Sequence, residues 1–94
     1  MAQVIWTTEA TFELAAATRY LKSVSPQYAD KLARKIYARA GQLANFPEMG
    51  RIVPEIDKPN HRELLEGNYR IMYELLDAIV LIQRVIHQNR NFLP

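Results

Sequence analysis

The sequence predicts an α+β fold: a small antiparallel β-sheet with an N-terminal αα-hairpin packed on one face, in the order β-α-α-(β)-β-β-β. Three observations carry this. Tyr69–Leu75 alternates cleanly, with Tyr69, Ile71, Tyr73 and Leu75 pointing one way and Arg70, Met72 and Glu74 the other, the period of a pleated strand. Ala78–His87 is apolar on both faces until Gln83, as expected of a central strand covered on both sides. Upstream, two stretches with apolar residues at helical spacing flank a short Ser23–Ser25 link, the pattern of an antiparallel helical hairpin.

Taken in order, Ala2–Trp6 (AQVIW) is short, β-branched and aromatic, and predicts a first strand that joins the sheet. Thr8 is the expected N-cap of the first helix, and Glu9 stands in its first turn, where the helix dipole favours an anion. Phe12, Ala16 and Tyr20 recur every four residues, with Leu14, Ala17, Leu21 and Val24 alongside, and form the expected apolar stripe. Ser25-Pro26 starts the second helix, serine as cap and proline at the first helical position. That helix should run to about Asn45, ahead of Phe46-Pro47. Ala29, Ala33, Ile36, Ala40 and Leu43 make its buried side.

Glu48–His61 contains a glycine and two prolines and reads as an irregular connection, with room for a short strand at Arg51–Val53. The segment Arg62–Arg90 then folds as three strands. Gly67-Asn68 is a two-residue hairpin signal, since glycine supplies the positive φ of a tight turn. Leu76-Asp77 is the expected second reversal.

Composition sets the outer limits. The chain has 94 residues, 49% of them hydrophobic and 10% aromatic, which fits one domain spanning residues 1–94 and excludes a disordered chain. There is no cysteine, so neither a disulfide framework nor a thiolate metal site can form. The longest apolar run, Ala78–Ile82, is too short to span a bilayer. Met1–Trp6 lacks the charged start and apolar segment of a signal peptide. A cytoplasmic protein without a membrane partner is the expectation. A formal net charge of +2 does not separate a nucleic-acid binder from a partner of an acidic protein.

Chemistry has few places to reside. The sequence holds no phosphate loop, no nucleotide-binding glycine fingerprint and no metal-spaced cluster, so no cofactor or metal is expected. Its only serines, Ser23 and Ser25, sit at the helix link, away from any triad partner. Lys31, Lys35 and Arg39 fall four apart on one face of the second helix with Arg34 beside them. They make either a solvated face or a basic ridge that meets an acidic partner or phosphates. With both turns two residues long, Arg70 faces the same side as Glu63, Leu65, Gln83 and His87. That face suits an anion, because arginine offers a rigid fork of donors and histidine titrates near neutrality. The alternative is structural: Arg70 pairs with Glu63 across the strands, and His87 marks a solvated strand end. A one-residue slip inverts every facing.

The pieces IWTTEA, SPQYA and FPEMGR, the REL of Arg62–Leu64, the NYRIMYEL of Asn68–Leu75 and the VIHQNR of Val85–Arg90 occur in this order and spacing. In them the chain resembles the RelE/ParE superfamily of toxins from bacterial type II toxin–antitoxin systems, sometimes labelled plasmid stabilisation proteins. The resemblance covers nearly the whole chain. It implies a small α+β fold and a co-expressed antitoxin whose C-terminal segment folds over the toxin in a hetero-oligomer. Lys31, Arg34, Lys35 and Arg39 are the antitoxin-facing candidates.

Two mechanisms divide that superfamily. One branch cleaves messenger RNA on the ribosome and needs a proton acceptor, a donor and cations around the phosphorane. In that branch's terms Arg70, His87 and Arg90 are the candidate catalytic residues, with Glu55 or Glu63 as a possible base. The other branch resembles ParE, which poisons DNA gyrase and performs no chemistry. The His87–Arg90 ending and the REL before the hairpin resemble the ParE branch. Two departures weigh against the nuclease. The Glu48–His61 loop carries only Arg51 and Lys58 against Glu48, Glu55 and Asp57, and no tyrosine follows Arg90. The reading is therefore a ParE-like gyrase inhibitor, with Arg62, Arg70, His87 and Arg90 as residues of target binding or toxicity and no catalytic residue assigned. A ribosome-dependent mRNA endonuclease is the alternative, and a non-toxic protein-binding module a further one.

Overall fold

The computed structural model describes residues 1–89. Arg90, one of the residues expected to meet the target, therefore lies outside the described residues. The elements are β1 (Gln3–Trp6), α1 (Thr8–Lys22), α2 (Pro26–Gln42), β2 (Arg51–Ile52), β3 (His61–Glu66), β4 (Tyr69–Leu76) and β5 (Ile79–His87). The sheet runs in the order β1-β5-β4-β3-β2. Strands β2 to β5 pair antiparallel, whereas β1 lies parallel to β5. The sheet is thus mixed, with the α1–α2 hairpin as the crossover that a parallel pairing requires. No helix among the described residues is long and apolar enough to cross a membrane.

Helix starts follow the sequence with one displacement. Thr7, not Thr8, caps α1: its Oγ1 accepts from the Ala10 N–H at 3.0 Å and also donates to the Gln83 carbonyl at 3.2 Å. That second bond ties the helix start to β5 and selects Thr7. Ser25 caps α2 as expected, and Pro26 is its first residue. α2 ends at Gln42, short of Asn45, with Leu43 as the buried C-cap.

The apolar stripe of α1 is rotated from the expected one. Leu14 is buried and Leu21 packs against the core as expected, joined by Ala10, while Phe12, Tyr20 and Val24 of the expected stripe stand in solvent. Both stripes satisfy helical spacing. The rotation is fixed by contacts that spacing does not contain: Arg84 grips Glu13, with Nη2 to Oε2 at 2.8 Å, and the Val85 N–H donates to Glu13 Oε1 at 2.9 Å. On α2 the buried side is Ala29, Leu32, Ile36 and Ala40, with Ala33 only partly covered.

The main core lies between the hairpin and the sheet, built on Leu14, Leu32, Ile36, Ile71, Tyr73 and Ile82 with smaller neighbours. Each fully buried large apolar side chain contributes about 1.5–3 kcal/mol. A smaller cluster of Val53, Met72 and Ile86, with Ile56 against it, covers the opposite face under the loop that follows β2. Both turns have two residues. Gly67 sits at φ 57° as expected, but the second reversal is Asp77-Ala78, with Asp77 at φ 49°. Leu76 remains in the strand, paired with Ile79, because aspartate tolerates the left-handed region far better than leucine.

One irregularity decides the facing of the last strand. Tyr73 pairs with Ile82 but Met72 pairs with Arg84, which leaves Gln83 as an extra residue in a β-bulge. Beyond it every side chain of β5 changes face. Val85 joins the main core, and Ile86 joins the cluster on the other side.

Candidate functional site

Arg70 stands near the start of β4, opposite Leu65, and Glu63 stands one pleat away on β3 opposite Met72. Equal facing brings them together. Arg70 Nε donates to Glu63 Oε1 at 2.7 Å, while Nη1 and Nη2 take both oxygens of Glu55 at 2.7 and 2.6 Å. From the other side, Arg51 Nε donates to Glu63 Oε2 at 2.7 Å. Two arginines and two carboxylates thus form one chain, Glu55–Arg70–Glu63–Arg51. The Glu63 side chain is 0% exposed, that of Arg70 7% and that of Glu55 30%. Bidentate pairing with Glu55 is the main cause that raises the Arg70 pKa further above its ordinary value, so the guanidinium carries a permanent charge.

The loop after α2 is fastened around this chain. Arg62 donates to the carbonyls of Pro59, Glu48 and Gly50 at 2.9, 3.2 and 3.0 Å. The Tyr73 hydroxyl donates to the Pro47 carbonyl at 2.8 Å and accepts from the Gly50 N–H at 3.0 Å. Burial raises the Tyr73 pKa. Val53 and Ile56 plug the apolar cluster below. Asp57 closes the turn at φ 55°, its N–H bonded to the Val53 carbonyl at 2.8 Å.

His87 does not share this site. The bulge at Gln83 pairs His87 with Tyr69 and Arg70 with Ile86, so the imidazole lies on the helix side and the guanidinium on the other. Its ring meets Tyr69 edge-on with centroids 5.4 Å apart, and its Nδ1 accepts the Asn89 N–H at 3.1 Å. Gln83 is drawn to Glu74, donating from Nε2 at 2.9 Å. The expected convergence of Arg70 with His87 is thereby overturned, while that of Arg70 with Glu63 and Leu65 is realised. From the sequence, Glu55 is named only as a possible base, whereas Glu63 is also the expected cross-strand partner of Arg70, a pairing the structure contains. A counter-ion role was visible for Glu63 alone, which stands one pleat from the position opposite Arg70 and on the same face. Glu55 arrives through an irregular turn.

Residues 4–92 match the family described as "ParE toxin of type II toxin-antitoxin system, parDE". The chain belongs to this family. A curated relative, "Toxin RelE2" of Caulobacter vibrioides, is 36% identical over 91 residues, 96% of this chain and 99% of the relative. A solved structure titled "Chromosomal ParDE TA system from P. aeruginosa" superposes with a TM-score of 0.73 at 21% identity, covering 93% of this chain and 96% of that one. The α+β fold is therefore that of the RelE/ParE superfamily, and the chain is a toxin of a type II toxin–antitoxin system.

The ParE-family chain carries its basic ridge on α2. Lys31, Arg34 and Lys35 are exposed and have no ion-pair partner among the described residues, whereas Arg39 reaches Glu66 at 3.5 Å. Next to the ridge, an open cleft of about 180 Å³ is lined by Tyr28, Lys31, Leu32, Lys35, Glu66 and Gly67. Beyond it, the outer face of the hairpin exposes Phe12, Tyr20 and Val24.

Proposed function

We propose that this toxin inhibits DNA gyrase by binding, with no chemistry of its own, and that a cognate antitoxin neutralises it by covering the α1–α2 hairpin. The observation that carries the first half is the separation of Arg70 from His87. A nuclease must bring a proton-transferring group and a cation to one scissile phosphate. Here the imidazole and the guanidinium occupy opposite faces, and three donor nitrogens of Arg70 are engaged by Glu63 and Glu55. Arg62 is spent on loop carbonyls. Of the four residues expected to meet the target, His87 remains a surface candidate, and Arg90 lies outside the described residues.

The antitoxin half is supported by the hairpin's surface. Exposed apolar side chains on the same hairpin as three cations that have no ion-pair partner among the described residues suit an amphipathic, acidic segment that buries the former and neutralises the latter. Such a partner raises the apparent stability of the toxin because it binds only the native state.

The second reading, a ribosome-dependent endonuclease, is favoured by the name of the 36%-identical relative, "Toxin RelE2". Primer extension on translated message discriminates the two. The gyrase reading expects no toxin-dependent cuts. Discrete cuts at ribosomal A-site codons that vanish in His87→Gln support the endonuclease.

A further inference from the structure

The two carboxylates that hold Arg70 are not equivalent. Glu63 is fully buried, sits on a central strand and is shared with Arg51. Glu55 is partly exposed and belongs to a turn whose neighbours Pro54 and Asp57 lie in solvent. Only Val53 and Ile56 anchor that turn by burial. If Glu55 swings away, Arg70 keeps Glu63 and its charge is not stranded. Beside the pair opens a pocket of about 210 Å³ lined by Arg51, Pro54, Glu55, Leu65, Arg70 and Gln88. One counter-ion is thus permanent and the other is placed at a mouth.

We propose that Glu55 is an exchangeable occupant of an arginine-lined carboxylate site, and that an acidic side chain of a protein partner takes its place on Arg70. The class of ligand follows from charge and shape. With Glu55 released, Arg51 and Arg70 of the described pocket lining share the single carboxylate of Glu63, an arginine-rich set that suits an anionic group. The two terminal nitrogens of Arg70 already hold a carboxylate in bidentate fashion at 2.6 and 2.7 Å, a geometry the planar fork is built to repeat. Leu65 and Pro54 supply apolar walls for the methylene groups of such a side chain. A nucleic-acid backbone is poorly served, because the Glu48–His61 loop has one lysine and carries Glu48, Glu55 and Asp57. The proposal is independent of whether gyrase or the ribosome is the toxin's target.

Exchange also moves the chain. Release of Glu55 loosens one tie of a turn that Val53 and Ile56 still anchor, so a partner that fills the site alters the surface around residue 55. Glu55 acts as an internal competitor, and the apparent affinity for a ligand in trans falls by the fraction of molecules with the site vacant.

The test uses the full chain, labelled with ¹⁵N, and a blocked Leu-Glu dipeptide as probe. Blocked Leu-Gln and dimethyl phosphate serve as controls. The Arg70 Nε–H signal and the backbone amides of residues 55–57 are followed by NMR. In wild type, Leu-Glu should shift both sets together and saturably, and Leu-Gln should shift neither. In Glu55→Gln the Leu-Glu affinity should rise about tenfold or more, as expected when a competitor that occupies at least nine-tenths of molecules is removed. Arg51→Gln, which leaves the Arg70–Glu63 pair intact, should keep the fold and weaken binding severalfold. Equal affinity in wild type and folded Glu55→Gln would overturn the proposal. So would dimethyl phosphate binding more tightly than Leu-Glu, or Arg51→Gln binding Leu-Glu as wild type does.

Discussion

Arg70 and His87 stand on neighbouring strands, one step apart in register, yet they point to opposite faces of the sheet. Gln83 is the cause: as an extra residue in β5 it turns the strand over between Ile82 and Val85. The relationship divides the molecule into a helix side, with Tyr69 and His87, and a loop side, with the Glu55–Arg70–Glu63–Arg51 chain.

The first prediction concerns Arg70 as a residue of the fold. Arg70→Ala leaves Glu63 fully buried with only Arg51, and should cost about 3–5 kcal/mol of stability. Denaturant unfolding measures it. Combining Glu63→Gln with Arg70→Met should recover part of that loss, because the stranded charge is removed along with its partner. A loss of toxicity in Arg70→Ala alone therefore reports folding before it reports mechanism.

A second prediction tests the fastening of the loop. A Cβ at Gly50 would meet the Glu63 carbonyl oxygen and the Tyr73 hydroxyl, each at 2.6 Å. Both neighbours belong to buried residues, so Gly50→Ala should lower the melting temperature. Tyr73→Phe should lower it as well, by about 1–3 kcal/mol in stability, because the Pro47 carbonyl and the Gly50 N–H lose their shared partner.

Tyrosine burial sets the alkaline limit. The Tyr73 and Tyr69 pKa values are raised above 10.0, in both cases chiefly by desolvation. The folded state therefore holds these phenolic protons where the unfolded chain releases them. Stability is full below the unfolded pKa near 10 and falls as pH rises through the raised folded values. Unfolding free energy measured between pH 8 and about 11 should drop at the upper end. The slope should be shallower in Tyr73→Phe.

Burial of β5 gives a sharper outcome. Ile82 is 0% exposed at the centre of the sheet, and Ile82→Asp should abolish folding because no partner exists for the buried carboxylate. Arg84→Ala should still fold, with reduced stability, since Glu13 retains its bond to the Val85 N–H. Circular dichroism on the two variants distinguishes these outcomes.

Antitoxin binding should depend on the ridge of α2. Lys31→Glu combined with Lys35→Glu reverses two exposed cations that have no ion-pair partner among the described residues, so the fold should persist. Affinity for the antitoxin should fall and lose most of its salt dependence. Calorimetric titration at two ionic strengths reads both effects.

Most of the fold was legible because it rests on local signals. Alternation in Tyr69–Leu75, the Gly67-Asn68 turn and the Ser25-Pro26 start each specify their element without reference to distant residues. What escaped was decided by contacts distant in sequence. The rotation of α1 depends on Glu13 meeting Arg84, and its cap on Thr7 meeting Gln83. The same limit applies to the site: the Arg70–Glu63 pair follows from hairpin register, but the bulge that removes His87 does not. No residue type announces a bulge when Gln83 alternates as well as any other. Glu55 reaches Arg70 through a turn that closes at Asp57 with positive φ, which the sequence around two prolines does not dictate.

The central claim, inhibition of gyrase by binding alone, is tested most directly by a supercoiling assay with purified gyrase, relaxed plasmid and ATP. The toxin should inhibit supercoiling or trap cleaved DNA in proportion to its concentration, and its antitoxin should restore activity. His87→Gln should retain most of that inhibition, since no proton has to move. Unaltered supercoiling at saturating, folded toxin would contradict the account.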